Sequence, residues 1–252
     1  MPVIDNETIF KVLGVDGRSC HGGHGTWNLP RRPSAPGKWM PKIENVVPCA
    51  RGYHLVKGEQ VIPWLRGGLW IAEWKGEYVD HKDKFVVGQA RLVRKVETWN
   101  MTTVRLWAAD CAERVLDVFE KARPGDDRPR KAIEAARRLD ATKEELRAAY
   151  AAVNAAANAA DADAVYAANA AVNAANADAA AIYAANAAVN AAAAVNAAAD
   201  ADAVYAANAA VNAANADAAA IYAANAAVNA AAAVNERSWQ YARLTEYLNG
   251  TV

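Results

Sequence analysis

The feature that most constrains this chain is the stretch from Glu144 to Tyr247, which contains neither glycine nor proline. Inside it, the residues from Asp161 to Asn196 recur letter for letter from Asp200 to Asn235, a period of 39 residues. Alanine surrenders no side-chain rotamers on entering a helix, so a run of Ala with scattered Asn, Asp, Val, Ile and Tyr is predicted to be helical before any packing. Between Ala151 and Asn235 there are six Asp and no Lys or Arg, so the usual ion pairs between successive turns are missing.

Winding Asp161 to Asn190 at about 100° per residue groups Val165, Asn169, Val172, Asn176, Tyr183 and Asn190 on one side. The opposite side is almost all Ala. A methyl-only face lets two backbones approach closely, and each Ala buries little area, so stability has to come from many contacts along a long interface. The expectation is that the methyl face is buried and the Val, Asn and Tyr stripe partly exposed, so that Ala180→Leu damages the fold more than Asn176→Ala. A 39-residue period falls short of eleven turns and rotates each copy by about 60°. One straight rod would reach on the order of 150 Å; folding back into a bundle, with reversals capped near Asp161-Ala-Asp163, Asn176-Ala-Asp178, Asp200-Ala-Asp202 and Asn215-Ala-Asp217, is the favoured arrangement.

At 252 residues the chain suits two domains, a β-rich mixed domain over 1–100 and an alanine-rich helical domain over 101–252 carrying the tandem repeat 161–196 and 200–235. The fold class expected is α+β: a small antiparallel N-terminal domain followed by an all-α repeat domain. Formal net charge is zero, with a modest basic excess before residue 150 that does not argue for nucleic acid. Three cysteines and no charged-then-apolar leader point to a reducing cytoplasm, and every apolar run is interrupted by Asn or Asp short of a membrane span.

In chain order, Thr8 to Val15 reads as a strand closed by Asp16-Gly17-Arg18, followed by a long Gly- and Pro-rich loop as far as Pro41. Glu44 to Pro48 is expected as a short strand, Glu59 to Leu65 as one or two helical turns, and Leu69–Trp74 and Phe85–Val96 as strands. Val104, Trp107, Ala108, Cys111, Val115 and Phe119 follow helical spacing behind an Asn or Thr cap, and Pro124-Gly125 stops that helix. A short helix follows from Arg128, and Thr142-Lys-Glu-Glu145 is a capping box for the alanine stretch. The tail from Trp239 to Leu248 is amphipathic, ends at Gly250, and is expected to pack on the helix at Val104 to Phe119.

Two stretches carry a resemblance. TVRLWAADCAERVLDVFE, RPRKAIEAARR and the alanine-rich region after them resemble the helical domains of Imm-5-like immunity proteins of bacteria and phages. CARGYHL and the strands ending in ETWN are similar to a DUF7666-like domain of phage proteomes. The resemblance implies protein binding and brings over no catalytic residues. Asn stands where Arg or Asp is usual in such helices, and the verbatim duplication is a further departure.

Cys20, His21, His24, Cys49 and His54 are of the types that ligate zinc, and two short loop clusters could converge on a metal held by Cys20, His24, Cys49 and His54. Their spacing is not that of a compact zinc module, which favours core or loop roles and a dispensable metal. His24-Gly25-Thr26, with Tyr53 and Glu73, echoes the first motifs of ADP-ribosyltransferases, but the flanking Gly22, Gly23 and Pro30 disfavour the strand those motifs need. Trp27, Trp39, Trp64, Trp70 and Trp74 fit a core better than a binding face. An ice-binding reading of the methyl face lacks the regularly spaced Thr that would support it.

The sequence thus reads as a cytoplasmic or virion-associated protein, without a catalytic constellation or cofactor, that binds a protein partner or itself through its helices. A structural scaffold built on the repeat is the alternative, and a zinc-binding or ADP-ribosyl-transferring enzyme the third reading.

Overall fold

Short apolar runs separated by turn residues build the N-terminal unit as strands whose pairing is entirely antiparallel. The computed structural model describes residues 3–142 and 234–252 other than Val15, Gly22, His24, Ser34 and Val115, together with residues 144–146, 148, 149, 151, 152, 169 and 186. The duplicated repeat, its predicted reversals and its methyl and carboxamide faces lie outside the described residues, apart from Asn169, Asn186, Val234 and Asn235.

Strands β1 (Ile9–Leu13), β2 (Tyr53–Lys57), β3 (Gly68–His81) and β4 (Lys84–Lys95) close into a barrel in the order β1-β2-β4-β3. β1 is shared: Phe10 lies opposite Val56 of β2 and Ile71 of β3. β3 and β4 form a long hairpin in which His81 pairs with Lys84 across the two residues Lys82 and Asp83. Register shifts at Ile71/Ala72 and Lys75/Tyr78 bend it, and such bulges add the local twist that a small barrel needs to close. Leu13, Trp27, Met40, Leu55, Phe85 and Leu92 fill the interior. Phe10 and Val12, on the other face of β1, are buried too. A 3₁₀ helix, Gly58–Trp64, packs on β1 and β2 and buries Val61 and Ile62.

The long loop is irregular yet tied down. Gly37, Met40 and Ile43 donate their N–H groups to the carbonyls of Leu92, Ala90 and Gly88, so residues 37–43 run along β4 beyond the end of β2. A Cβ at Gly88 would stand 2.7 Å from the Ile43 carbonyl oxygen, which is why glycine is needed there. Glu44 to Pro48 is not the strand expected from sequence. Asn45 turns the chain at φ 52°, and only an isolated bridge joins Val47 to Arg51. Tyr53–Lys57, to which the sequence reading assigned no element, is β2.

The chain divides into two compact units, residues 1–99 with 245–252, and residues 100–244. In the second, α1 (Met101–Glu113) starts at Asn100, whose side chain accepts the Thr103 N–H at 3.2 Å. The single helix predicted through Phe119 is divided into α1 and α2 (Leu116–Ala122), with Arg114 capping the first piece. α3 (Arg128–Arg137) packs on α1. Thr142 and Glu145 form the expected capping box, Oγ1 of Thr142 accepting from the Glu145 N–H at 3.1 Å while the Glu145 carboxylate accepts from the Thr142 N–H at 2.8 Å. The last helix, α4 (Val234–Asn249), belongs to the second unit as far as Leu244. Its remaining turn lies in the first unit, where the side chain of Asn249 exchanges two hydrogen bonds with the backbone of Ile4 and Thr98 donates to the carbonyl of Leu248.

Candidate functional site

Within the first unit, titratable side chains concentrate around β1 and the 3₁₀ helix. Ile9 and Leu13 face the barrel interior, and the two-residue period of a strand places Lys11 on that same face. Its ammonium donates to the carbonyl of His54 at 3.1 Å and lies 5.0 Å from the centre of the Trp27 ring. Burial lowers the Lys11 pKa to about 8, and the neighbouring Cys20 acts weakly in the other direction. Burial pushes the Cys20 thiol up, against the pull of Arg66 and Lys11.

His21 donates from Nε2 to the Trp64 carbonyl at 2.9 Å and stands edge-on to that indole. Burial first, and then the charge of Arg66, lower its pKa to about 3, so the ring is neutral. Trp64 in turn donates from Nε1 to the Asp83 carbonyl, and the Lys84 ammonium sits 4.7 Å from its ring. Lys84 and His81 both reach the Asp83 carboxylate, at 3.2 and 2.8 Å. Although partial burial opposes it, these contacts hold Asp83 below the usual carboxylate range. The result is a half-buried, cation-rich end of the barrel with aromatic walls.

Of the residues expected to ligate zinc, His24 lies outside the described residues. Cys49 is exposed, and its backbone N–H donates to Nε2 of His54 at 3.1 Å, which occupies the lone pair a metal would need. His54 is also lowered, to about 4, by burial and by the nearby Lys11 and Lys84. Cys20 sits among cations. Among the described residues no three His, Cys, Asp or Glu side chains group as a metal site. Tyr53 donates its hydroxyl to the Pro41 carbonyl, and Glu73 is bound by Arg91 at 2.6 Å, so both are engaged in holding the barrel and its loop. Sequence reasoning missed Lys11. The available signal was a lysine set at an inward position between Ile9 and Leu13.

The second unit presents a different chemistry. Asp110 of α1, with its side chain 12% exposed, accepts from Arg137 of α3 at 2.8 Å and from Arg243 of α4 at 2.7 Å. Glu113 joins Arg137 from the next turn of α1. Arg114 pairs with the buried Glu236 at 3.1 Å and stacks on Trp239, and Trp107 donates to the carbonyl of Gln240 at 3.1 Å. Helices far apart in the chain are thus joined by ion pairs around an apolar seam.

Residues 94–213 match the family model described as Imm-5 like putative immunity protein. This Imm-5-like segment begins in β4, takes in α1, α2 and α3, and ends in the second copy of the repeat. The family hints at an immunity-like, non-enzymatic role. No curated protein and no solved structure matches the chain. No helix among the described residues is long and apolar enough to cross a membrane.

Proposed function

We propose that the protein is a non-enzymatic, immunity-like binder that neutralises a partner protein, a toxin or defence factor, through its alanine-rich helical domain. The observation that carries this reading is the family match over residues 94–213, which covers α1 to α3 and much of the duplicated stretch. The helical unit suits such a role: Asp110 and Glu236 anchor ion pairs between its helices, and long alanine-rich surfaces gain affinity by close approach over length. On this reading the chain has two domains divided near residue 100. The barrel is of the DUF7666-like type of phages and bacteria, and the protein acts in the cytoplasm or with the virion. The verbatim repeat supports a second reading, a structural spacer in which repeat number sets reach, as in modular arrays.

The test is co-expression with each protein encoded beside it. Restored growth when a neighbouring product is toxic alone supports neutralisation. Toxicity unrelieved by the full chain, with neighbours encoding virion parts, turns the case to the spacer.

A further inference from the structure

We propose that the loop running along β4 is a binding surface for single-stranded nucleic acid, which it holds by phosphates and bases. From Gly17 to Ile43 the chain has no Asp or Glu, yet it contains Arg18, Arg31, Arg32, Lys38 and Lys42. Averaged over the whole sequence these charges disappear into a formal net charge of zero. The fold gathers them.

Gly37 donates to the Leu92 carbonyl at 2.8 Å, and Asn28 donates from Nδ2 to the Trp39 carbonyl at 3.3 Å. Residues 28–30 and 37–39 therefore run side by side against β4, close enough that a Cβ at Gly37 would stand 2.4 Å from the Asn28 carbonyl oxygen. An isolated bridge between Arg32 and Ala35 turns the chain at the far end, so Arg31 and Arg32 form the tip, within about 10 Å of Lys38. Next to Lys38, the half-buried Trp39 has the Lys75 ammonium 4.3 Å and the Arg91 guanidinium 4.6 Å from its ring centre. Tip, neck and indole make one surface.

Arg18, Lys42 and Arg91 have carboxylate partners in Asp16, Glu44 and Glu73. Arg31, Arg32, Lys38 and Lys75 are exposed, and no carboxylate among the described residues pairs with them. Cations held this close repel one another, and a loop that served stability alone would intersperse acids. A phosphate chain relieves the repulsion. The indole with its stacked guanidinium adds a platform for a base, which an acidic peptide would leave unused, and this favours nucleic acid over an acidic protein.

The test is fluorescence anisotropy of a labelled oligothymidylate of about twelve nucleotides with the full chain. With four unpaired cations, the logarithm of the association constant should fall with the logarithm of salt at a slope of about −3. The oligomer should bind at least about fivefold tighter than an abasic strand of equal length, the contribution of one stacked base. Replacing Arg31, Arg32 and Lys38 together by Ala should weaken binding about tenfold or more and bring the slope to about −1, while Lys57→Ala with Lys82→Ala on other parts of the barrel changes neither. Equal affinity for the abasic strand, for duplex or for polyglutamate overturns the proposal, as does a slope unaffected by the triple change. If the triple variant does not fold, photo-crosslinking of an iododeoxyuridine oligomer to the unaltered chain decides. Adducts are expected in residues 28–43 or on β3 and β4 beside Trp39, and adducts confined to residues 100–244 refute it.

Discussion

Replacing Asp110 by Asn probes whether α4 is fastened to α1 by charge as well as by packing. The carboxylate is 12% exposed and receives one guanidinium from α3 and one from α4, with those side chains 35% and 29% exposed. Removing one partner of a fully buried pair costs about 3–5 kcal/mol, whereas exposed pairs contribute about 0–1 kcal/mol. Here the anion is nearly buried, but both arginines can rehydrate, and Arg137 keeps Glu113. The loss should therefore fall between these limits, at ~2 kcal/mol. Asn keeps the volume and one acceptor, so a cavity does not confuse the result. The assay is urea unfolding followed by circular dichroism, with Arg243→Met and the double variant completing a cycle that should return a coupling of ~1 kcal/mol. A loss below ~0.5 kcal/mol would place this cluster with ordinary surface pairs and refute the charge-fastened seam.

Glu236, with a side chain 2% exposed, has its pKa raised because burial outweighs the pull of Arg114 and Gln240. The folded state then holds that proton more tightly than the unfolded chain. Stability falls as pH rises from the ordinary value of 4.5 through the raised one, and levels off above it. Relative to Glu236→Gln, the unaltered protein should lose stability over that window, and a relative gain would show that Arg114 prevails. Gly52→Ala should cost ~1–3 kcal/mol, because the residue sits at φ 127° and an added methyl would stand 2.5 Å from Val86 Cγ1; a melting temperature equal to that of the unaltered barrel would disprove the close approach. Zinc analysis of protein purified without added metal should find no stoichiometric zinc and no change in Cys49→Ala, since the imidazole nearest that thiol already accepts a backbone N–H. One equivalent lost along with the fold would reverse that conclusion.

The local parts of the fold were legible because they rest on local chemistry. Asn100 announces the start of α1, the Thr142–Glu145 box has the geometry its letters imply, and the helical spacing around Trp107 anticipates the seam with Gln240. β2 was missed because Tyr53–Lys57 is short and both Leu55 and Val56 are buried, one on each face, which erases the alternation a strand usually shows. The outer half of β3 was missed because Lys75, Gly76 and Glu77 are poor strand formers and mark a bulge. Barrel closure depends on β1 pairing with both β2 and β3, a long-range register that no single stretch encodes. The same limit hid the cation-rich end of the barrel, where His21, Trp64 and Lys84 meet from three separate stretches.

The central claim is that the helical domain, not the barrel, engages a partner protein. The most direct measurement is hydrogen exchange on the full chain, alone and mixed with the toxic product of a neighbouring gene. The account predicts a stoichiometric complex with new amide protection confined to residues 100–244. Protection confined to residues 1–99, or no complex with a toxin whose action the chain nonetheless relieves, would contradict it.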